Sequence, residues 1–373
     1  MNNSIRVGNL FGIPFYVNAS WFIVLGLMTL SYGTNLSSEF PTLGGVNSTF
    51  LGLVAALLLF ASVLAHELGH SFVAIKQGIN VKSITLFLFG GLASLDKEAK
   101  TPGGAFWIAI AGPAVSLALF LLLTGIGTSV ATSGPLGAMV GLLAYINLAL
   151  ALFNLIPGLP LDGGNVLKAL VWKITGKQYT GVIWASRVGQ ALGWTAIALG
   201  FLPTLLSGQF PNFWTILIGW FLLQNAGVLA QDATLRSKLS EFTAEDALTN
   251  DTPIISEDLS LRELANEYII GKAQTRRFFI VNEEGELLGQ FEVDQMKAIP
   301  TSQWPTTQVK DLIQPVELSK TIDAERSLLD VVTLFEKEQL DELAVMRNGM
   351  LVGLIEKASI RQVLQRNAEA KPA

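Results

Sequence analysis

His66-Glu67-Leu68-Gly69-His70, within the apolar stretch of residues 50–75, holds both histidines of a 373-residue chain. Four-residue spacing puts the two imidazoles one turn apart on one helix face, within reach of a single Zn²⁺. From the position after the first histidine, the Glu67 carboxylate can lean over such a metal and accept a proton from water, the general-base role. The plain alternative is a pair of buried, hydrogen-bonded histidines. Two imidazoles and a carboxylate are costly in hydrocarbon, which favours use over mere structure.

The rest of the chain supports a membrane setting. Half of its residues are hydrophobic, 15% are charged, and the mean hydropathy is +0.47, a balance that places most of it in lipid. The long uncharged runs precede Gln231 and most acidic residues follow it, which divides the chain into a membrane domain over 1–232 and a soluble tail. A net charge of -5 offers no footprint for nucleic acid. With no cysteine in the sequence, disulfides and thiolate ligands are excluded and any metal must be held by nitrogen and oxygen.

Six runs are long enough to cross about 30 Å of hydrocarbon: residues 15–32, 50–75, 104–124, 135–156, 187–206 and 212–230. The intervening segments 33–49, 125–134 and 207–211 contain no Lys or Arg, whereas 76–103 carries Lys76, Lys82, Lys97 and Lys100 and 157–186 carries Lys168, Lys173 and Lys177; Arg6 and Arg187 flank spans on that same side. This asymmetry puts the N-terminus, the C-terminal end of the histidine helix and the tail in the cytoplasm of a multi-pass cell-membrane protein. The first run lacks a small-residue cleavage pattern after it and is read as a retained helix.

A catalytic zinc site has three protein ligands and an open position, so the third ligand must be Asp or Glu. The membrane part offers Glu39, Asp96, Glu98 and Asp162, with Asp232 at its exit. Glu39 lies on the opposite side, and Asp96 and Glu98 alternate with lysines as an exposed turn would. Asp162 stands apart in Asn154-Leu-Ile-Pro157-Gly-Leu-Pro160-Leu-Asp162-Gly163-Gly164-Asn165. Two prolines break the preceding helix and two glycines let the backbone turn beside the carboxylate. An ordinary helix-ending turn is the plain alternative.

At these residues the chain resembles the site-2 protease family of intramembrane zinc metalloproteases. The resemblance rests on His66-Glu67-x-x-His70, on Leu161-Asp162-Gly163 after a proline-broken helix with Asn154 eight residues before the Asp, and on Phe89-Gly90-Gly91 and Ala111-Gly112-Pro113-Ala114. It implies an α-helical polytopic membrane enzyme with one Zn²⁺ held by His66, His70 and Asp162. It further implies Glu67 as general base and Asn154 as an aid to substrate positioning or oxyanion stabilisation. The implied substrate is a transmembrane protein such as a membrane-tethered transcription regulator or anti-sigma factor. A zinc-stabilised, non-proteolytic membrane regulator is the alternative from another class. Small residues on the third helix, Gly112, Ala114 and Ser116, are expected to serve close packing.

Ser83-Ile84-Thr85-Leu86-Phe87-Leu88-Phe89 is too short to span and rich in branched and aromatic residues, so it reads as strand. Thr85 to Phe89 then offer an edge that holds a locally unwound substrate extended, or else form a re-entrant lining.

After Asp232 the pattern becomes α/β and repeats at 64 to 67 residues. Ala244-Glu-Asp-Ala aligns with Val309-Lys-Asp-Leu, Ser260-Leu-Arg-Glu-Leu with Ser327-Leu-Leu-Asp-Val, and Gly289 with Gly353. Two copies of one unit are expected to pack together, over 238–300 and 306–368. They look like a tandem pair of cystathionine-β-synthase (CBS) domains, which often bind adenine nucleotides. Where that family's nucleotide-binding members carry Thr and Asp, this chain has Glu292 and Gln295, then Glu356 and Ser359, with Asp294 one place early. Extra carboxylates repel phosphate, which favours a homodimerisation or docking role for the pair over nucleotide binding.

Overall fold

The computed structural model describes residues 4–88, 90–129, 134–249, 254–270, 277–315 and 321–369. The chain divides into two compact units, Met1–Thr234 and Leu235–Ala373.

The first unit opens with a hairpin, β1 (Ser4–Leu10) and β2 (Ile13–Asn18). Asn18 then caps α1 (Ala19–Glu39) by accepting the Ser20 N–H at 3.0 Å. The first expected span therefore begins four residues late, because residues 15–18 are strand. Next come α2 (Gly45–Lys76), the hairpin β3 (Val81–Phe87) and β4 (Gly90–Leu95), α3 (Pro102–Ser129), α4 (Pro135–Asn154), α5 (Asp162–Thr175), α6 (Gln178–Ser207) and α7 (Phe213–Leu239). Among the described residues, α2, α3, α4, α6 and α7 are long and apolar enough to cross a membrane. The 21-residue α1 has the length, but its second half, Ser31-Tyr-Gly-Thr-Asn-Leu-Ser-Ser-Glu39, is polar. Arg187 lies inside α6 rather than at its start, and Lys168 and Lys173 ride on the extra helix α5.

These helices touch through small residues. The residues that α6 buries are Gly181, Ala185, Ser186, Gly189, Gly193 and Gly200. A Cβ on Gly193 would lie 2.8 Å from the Gly219 carbonyl oxygen, and one on Gly52 would lie 2.5 Å from that of Thr29. Such contacts bring backbones close, as expected where lipid removes the hydrophobic drive between helices.

The four strands form one sheet in the order β1-β2-β3-β4. β3 pairs with β2 in parallel (Thr85 opposite Tyr16) and with β4 antiparallel (Thr85 opposite Leu92).

The second unit contains two three-stranded sheets. One has β5 (Ile254–Ser256), β6 (Arg277–Val281) and β7 (Leu287–Glu292), with the short helix α8 (Leu261–Leu264). The other has β8 (Thr321–Asp323), β9 (Glu342–Arg347) and β10 (Met350–Glu356), with α9 (Leu328–Glu338) and α10 (Lys357–Glu369). Both repeat a parallel then an antiparallel pairing. Phe279, Val281 and Leu287 meet Ala344, Met346 and Leu351 in a shared apolar layer.

The two cores do not follow the sequence halves 238–300 and 306–368. Leu239, Ala244 and Ala247 are buried with Leu328, Val331 and Phe335, and the Ala244 N–H donates to the Arg326 carbonyl at 2.7 Å. Reciprocally, Val309 is buried with Leu261 and Phe291, and its N–H donates to the Leu259 carbonyl at 2.9 Å. Each copy lends its opening segment to the other.

Candidate metal centre

α2 presents His66, Glu67 and His70, and the first residue of α5 is Asp162. The path between α4 and α5 is set by Pro157 and Pro160, which cannot continue a helix. The Leu159 N–H then donates to the Ala185 carbonyl of α6 at 3.1 Å, pinning the loop. A Cβ on Gly163 would lie 2.2 Å from the Leu155 carbonyl oxygen, and one on Gly164 would lie 2.2 Å from the Leu159 nitrogen. Neither glycine takes a left-handed φ. They are needed for close approach of the loop to α5 and not for the turn anticipated from the sequence.

This packing carries Asp162 to the histidines. Its Oδ2 lies 3.0 Å from His66 Nε2 and 3.3 Å from His70 Nε2, and the two Nε2 atoms are 3.3 Å apart. For metal–donor bonds of about 2.0 Å, the edge of a tetrahedron is about 3.3 Å, so the three atoms describe one face of such a site. Both imidazoles are buried. His70 Nδ1–H donates to the Ile108 carbonyl at 2.6 Å, which leaves its Nε2 lone pair facing inward. A lone pair and a carboxylate oxygen this close repel unless a proton or a metal ion lies between them. Two nitrogens and one oxygen, with no fourth protein donor in the group among the described residues, suit Zn²⁺ with one position open.

α3 is part of the centre. A Cβ on Gly112 would fall 2.2 Å from His70 Nε2 and 2.6 Å from His66 Nε2, so only glycine leaves room for the donors. Ser116 Oγ lies 2.9 Å from His66 Nδ1. The expectation that these residues serve packing alone is therefore corrected. A signal was present in the sequence, since Ser116 is the only hydroxyl-bearing residue between Pro102 and Leu123.

Residues 54–134 and 128–196 match Peptidase family M50. The chain is 58% identical, over 99% of its length and 97% of the other, to sll0528 of Synechocystis sp., a protein named as a zinc metalloprotease. The chain belongs to peptidase family M50. Among solved structures, this M50 chain is similar to the site-2 protease from Methanocaldococcus jannaschii (31% identity, 61% of this chain and 95% of that one, TM-score 0.43). A CBS domain-containing protein from Kribbella flavida is similar over the C-terminal region (16% identity, 33% of this chain and 98% of that one, TM-score 0.28). Family membership, the 58% identical relative and the five apolar helices make the chain a multi-pass membrane zinc metalloprotease.

The M50 centre opens on a cavity of about 460 Å³ lined by Glu67, Gly91, Asn154, Asn165, Lys168 and Asn225, among others. Asn165 and Asn225 were not singled out from sequence, because their helices, α5 and α7, reach the site only through tertiary packing. Glu98 is no free surface turn: it pairs with Lys168 at 2.8 Å and with Gln178, and it lines the cavity, whereas Asp96 does remain in an exposed pair with Lys82. The strand expected to receive substrate is also corrected. Thr85, Leu86 and Phe87 belong to β3, whose backbone is paired on both sides, Leu88 is in the turn, and Phe89 lies outside the described residues. The sheet edge beside the centre is β4. A Cβ on its Gly91 would come within 2.4 Å of Glu67 Cγ.

Proposed function

We propose that this M50 protease hydrolyses a peptide bond within or near a transmembrane segment of a membrane-tethered regulatory protein, with His66, His70 and Asp162 holding one Zn²⁺. The observation that carries the reading is the triangle of donor atoms, on two buried imidazoles and a partly buried carboxylate, with a second carboxylate, Glu67, beside it and a cavity in front. Bound there, zinc supplies Lewis-acid polarisation of a carbonyl and activation of water. Glu67 accepts the proton of the attacking water and delivers it to the leaving amine. The outer edge of β4 takes the unwound substrate as an added strand, which aligns its carbonyl past Glu67. Asn154, at the end of α4 and in the cavity wall, holds the substrate backbone or the developing oxyanion. A purely structural zinc would call for a fourth protein ligand and no neighbouring base.

The sidedness of Lys and Arg supports a cytoplasmic tail, and the N-terminus with Arg6 shares that side when α1 crosses together with the five more apolar helices. We read the tail as a tandem CBS pair serving regulation or dimerisation. The positions where a nucleotide-binding pair would carry Thr and Asp are occupied by local caps: the Glu292 N–H donates to Gln295 Oε1 at 2.8 Å, and the Glu356 N–H to Ser359 Oγ at 3.3 Å.

The test is Glu67→Gln in purified full-length protein with candidate single-pass substrates, anti-sigma factors among them. Zinc content is expected to stay at the wild-type level while cleavage falls on the order of 10² to 10⁴-fold. Wild-type turnover by this variant would end the assignment.

A further inference from the structure

We infer that Ser116 is a positioning residue, whose hydroxyl fixes the tautomer and ring orientation of His66; the inference rests on the reading of His66 as a zinc ligand. Ile108, Gly112 and Ser116 stand four residues apart on α3, and each addresses the histidine pair. The Ile108 carbonyl accepts from His70 Nδ1, Gly112 leaves space at both Nε2 atoms, and Ser116 Oγ meets His66 Nδ1 at 2.9 Å. A metal-ligating imidazole must expose a lone pair, so its remaining proton sits on the other nitrogen and needs an acceptor. His70 finds a backbone carbonyl. Among the described residues, His66 Nδ1 finds Ser116.

Serines and threonines within helices usually bond back to their own helix. Ser62 donates to the Leu58 carbonyl, Ser71 to that of Glu67, Thr195 to that of Ala191 and Thr234 to that of Ala230. Ser116, fully buried, has no such bond among the described residues, and its one hydrogen-bond partner there is the imidazole. Its hydroxyl is therefore directed at the metal centre and away from the helix that carries it.

The test measures zinc affinity of the purified full-length protein by competition with a chromophoric chelator, together with the visible spectrum of the Co²⁺-substituted form. Ser116→Ala is expected to weaken zinc binding about 10- to 100-fold and to change the Co²⁺ bands, and Ser116→Thr, which keeps the hydroxyl, to restore both. A packing role predicts the reverse order, since alanine fits where serine did and the extra methyl of threonine does not. Wild-type affinity and spectrum in Ser116→Ala overturn the inference whatever threonine does. His66→Ala is the reference: if it too binds zinc normally, the ligand assignment itself falls, whereas loss in His66→Ala beside a normal Ser116→Ala removes only the role of Ser116.

Discussion

The membrane unit and the tail bury opposite kinds of residue. Nine of the twelve largest fully buried side chains, Phe278 and Phe291 among them, belong to the tail. In the membrane unit the buried helix positions are mainly Gly, Ala and Ser, while Trp194, Leu205, Leu206 and Trp214 are exposed. In water, burial of large apolar groups drives folding. In lipid those groups gain nothing by turning inward, and close backbone approach takes their place. The metal centre extends this logic, because the space a side chain would occupy at Gly112 is the space the zinc donors need.

Substitutions can break the contrast. The largest effect is expected for Phe291→Ala, a deletion in the tail core, at about 3 to 5 kcal/mol of unfolding free energy, read as a lowered denaturant midpoint for the tail. Next is Gly112→Ala, where one added carbon strikes both imidazoles; displacement of the donors by about 1 Å is expected to lower turnover about 100-fold, measured as kcat/KM alongside zinc content. Arg277 joins the two tail copies by pairing with Glu342 while also bonding Glu292 at 3.2 Å. Its side chain is 41% exposed, so Arg277→Ala is expected to cost about 1 kcal/mol or less, seen as a small shift of the same midpoint. Smallest is Leu205→Ala on the outer face of α6, expected within about 0.5 kcal/mol by thermal unfolding in nanodiscs. A large loss there would mean that this leucine faces protein, and would sharpen the boundary between lipid-facing and buried positions.

Local chemistry was legible in the chain and long-range pairing was not. The spacing of His66 and His70, the absence of cysteine and the proline-broken approach to Asp162 pointed to the three donors that the fold brings together. The first and last of these signals each lie within a dozen residues, and the second is a matter of composition. The choice of β4 over β3 as the open edge depends on β2, some seventy residues earlier in the chain, pairing with β3. The parts of Gly112 and Ser116 depend on how α3 lies against α2. The repeat in the tail was visible as aligned motifs, but the reciprocal exchange of Ala244 and Val309 was not. Similarity between two copies says what each resembles and nothing about which partner completes it.

That exchange has a consequence for how the tail can respond to its surroundings. Neither copy owns a complete core, so a cut or a binding event that draws out residues 239–248 strips the second copy, and one that draws out 304–313 strips the first. The tail should loosen as a single cooperative step, with no surviving half. A ligand that favours the closed state at either copy would therefore hold both, making the pair a two-position latch assembled from sequence that looks like two independent parts.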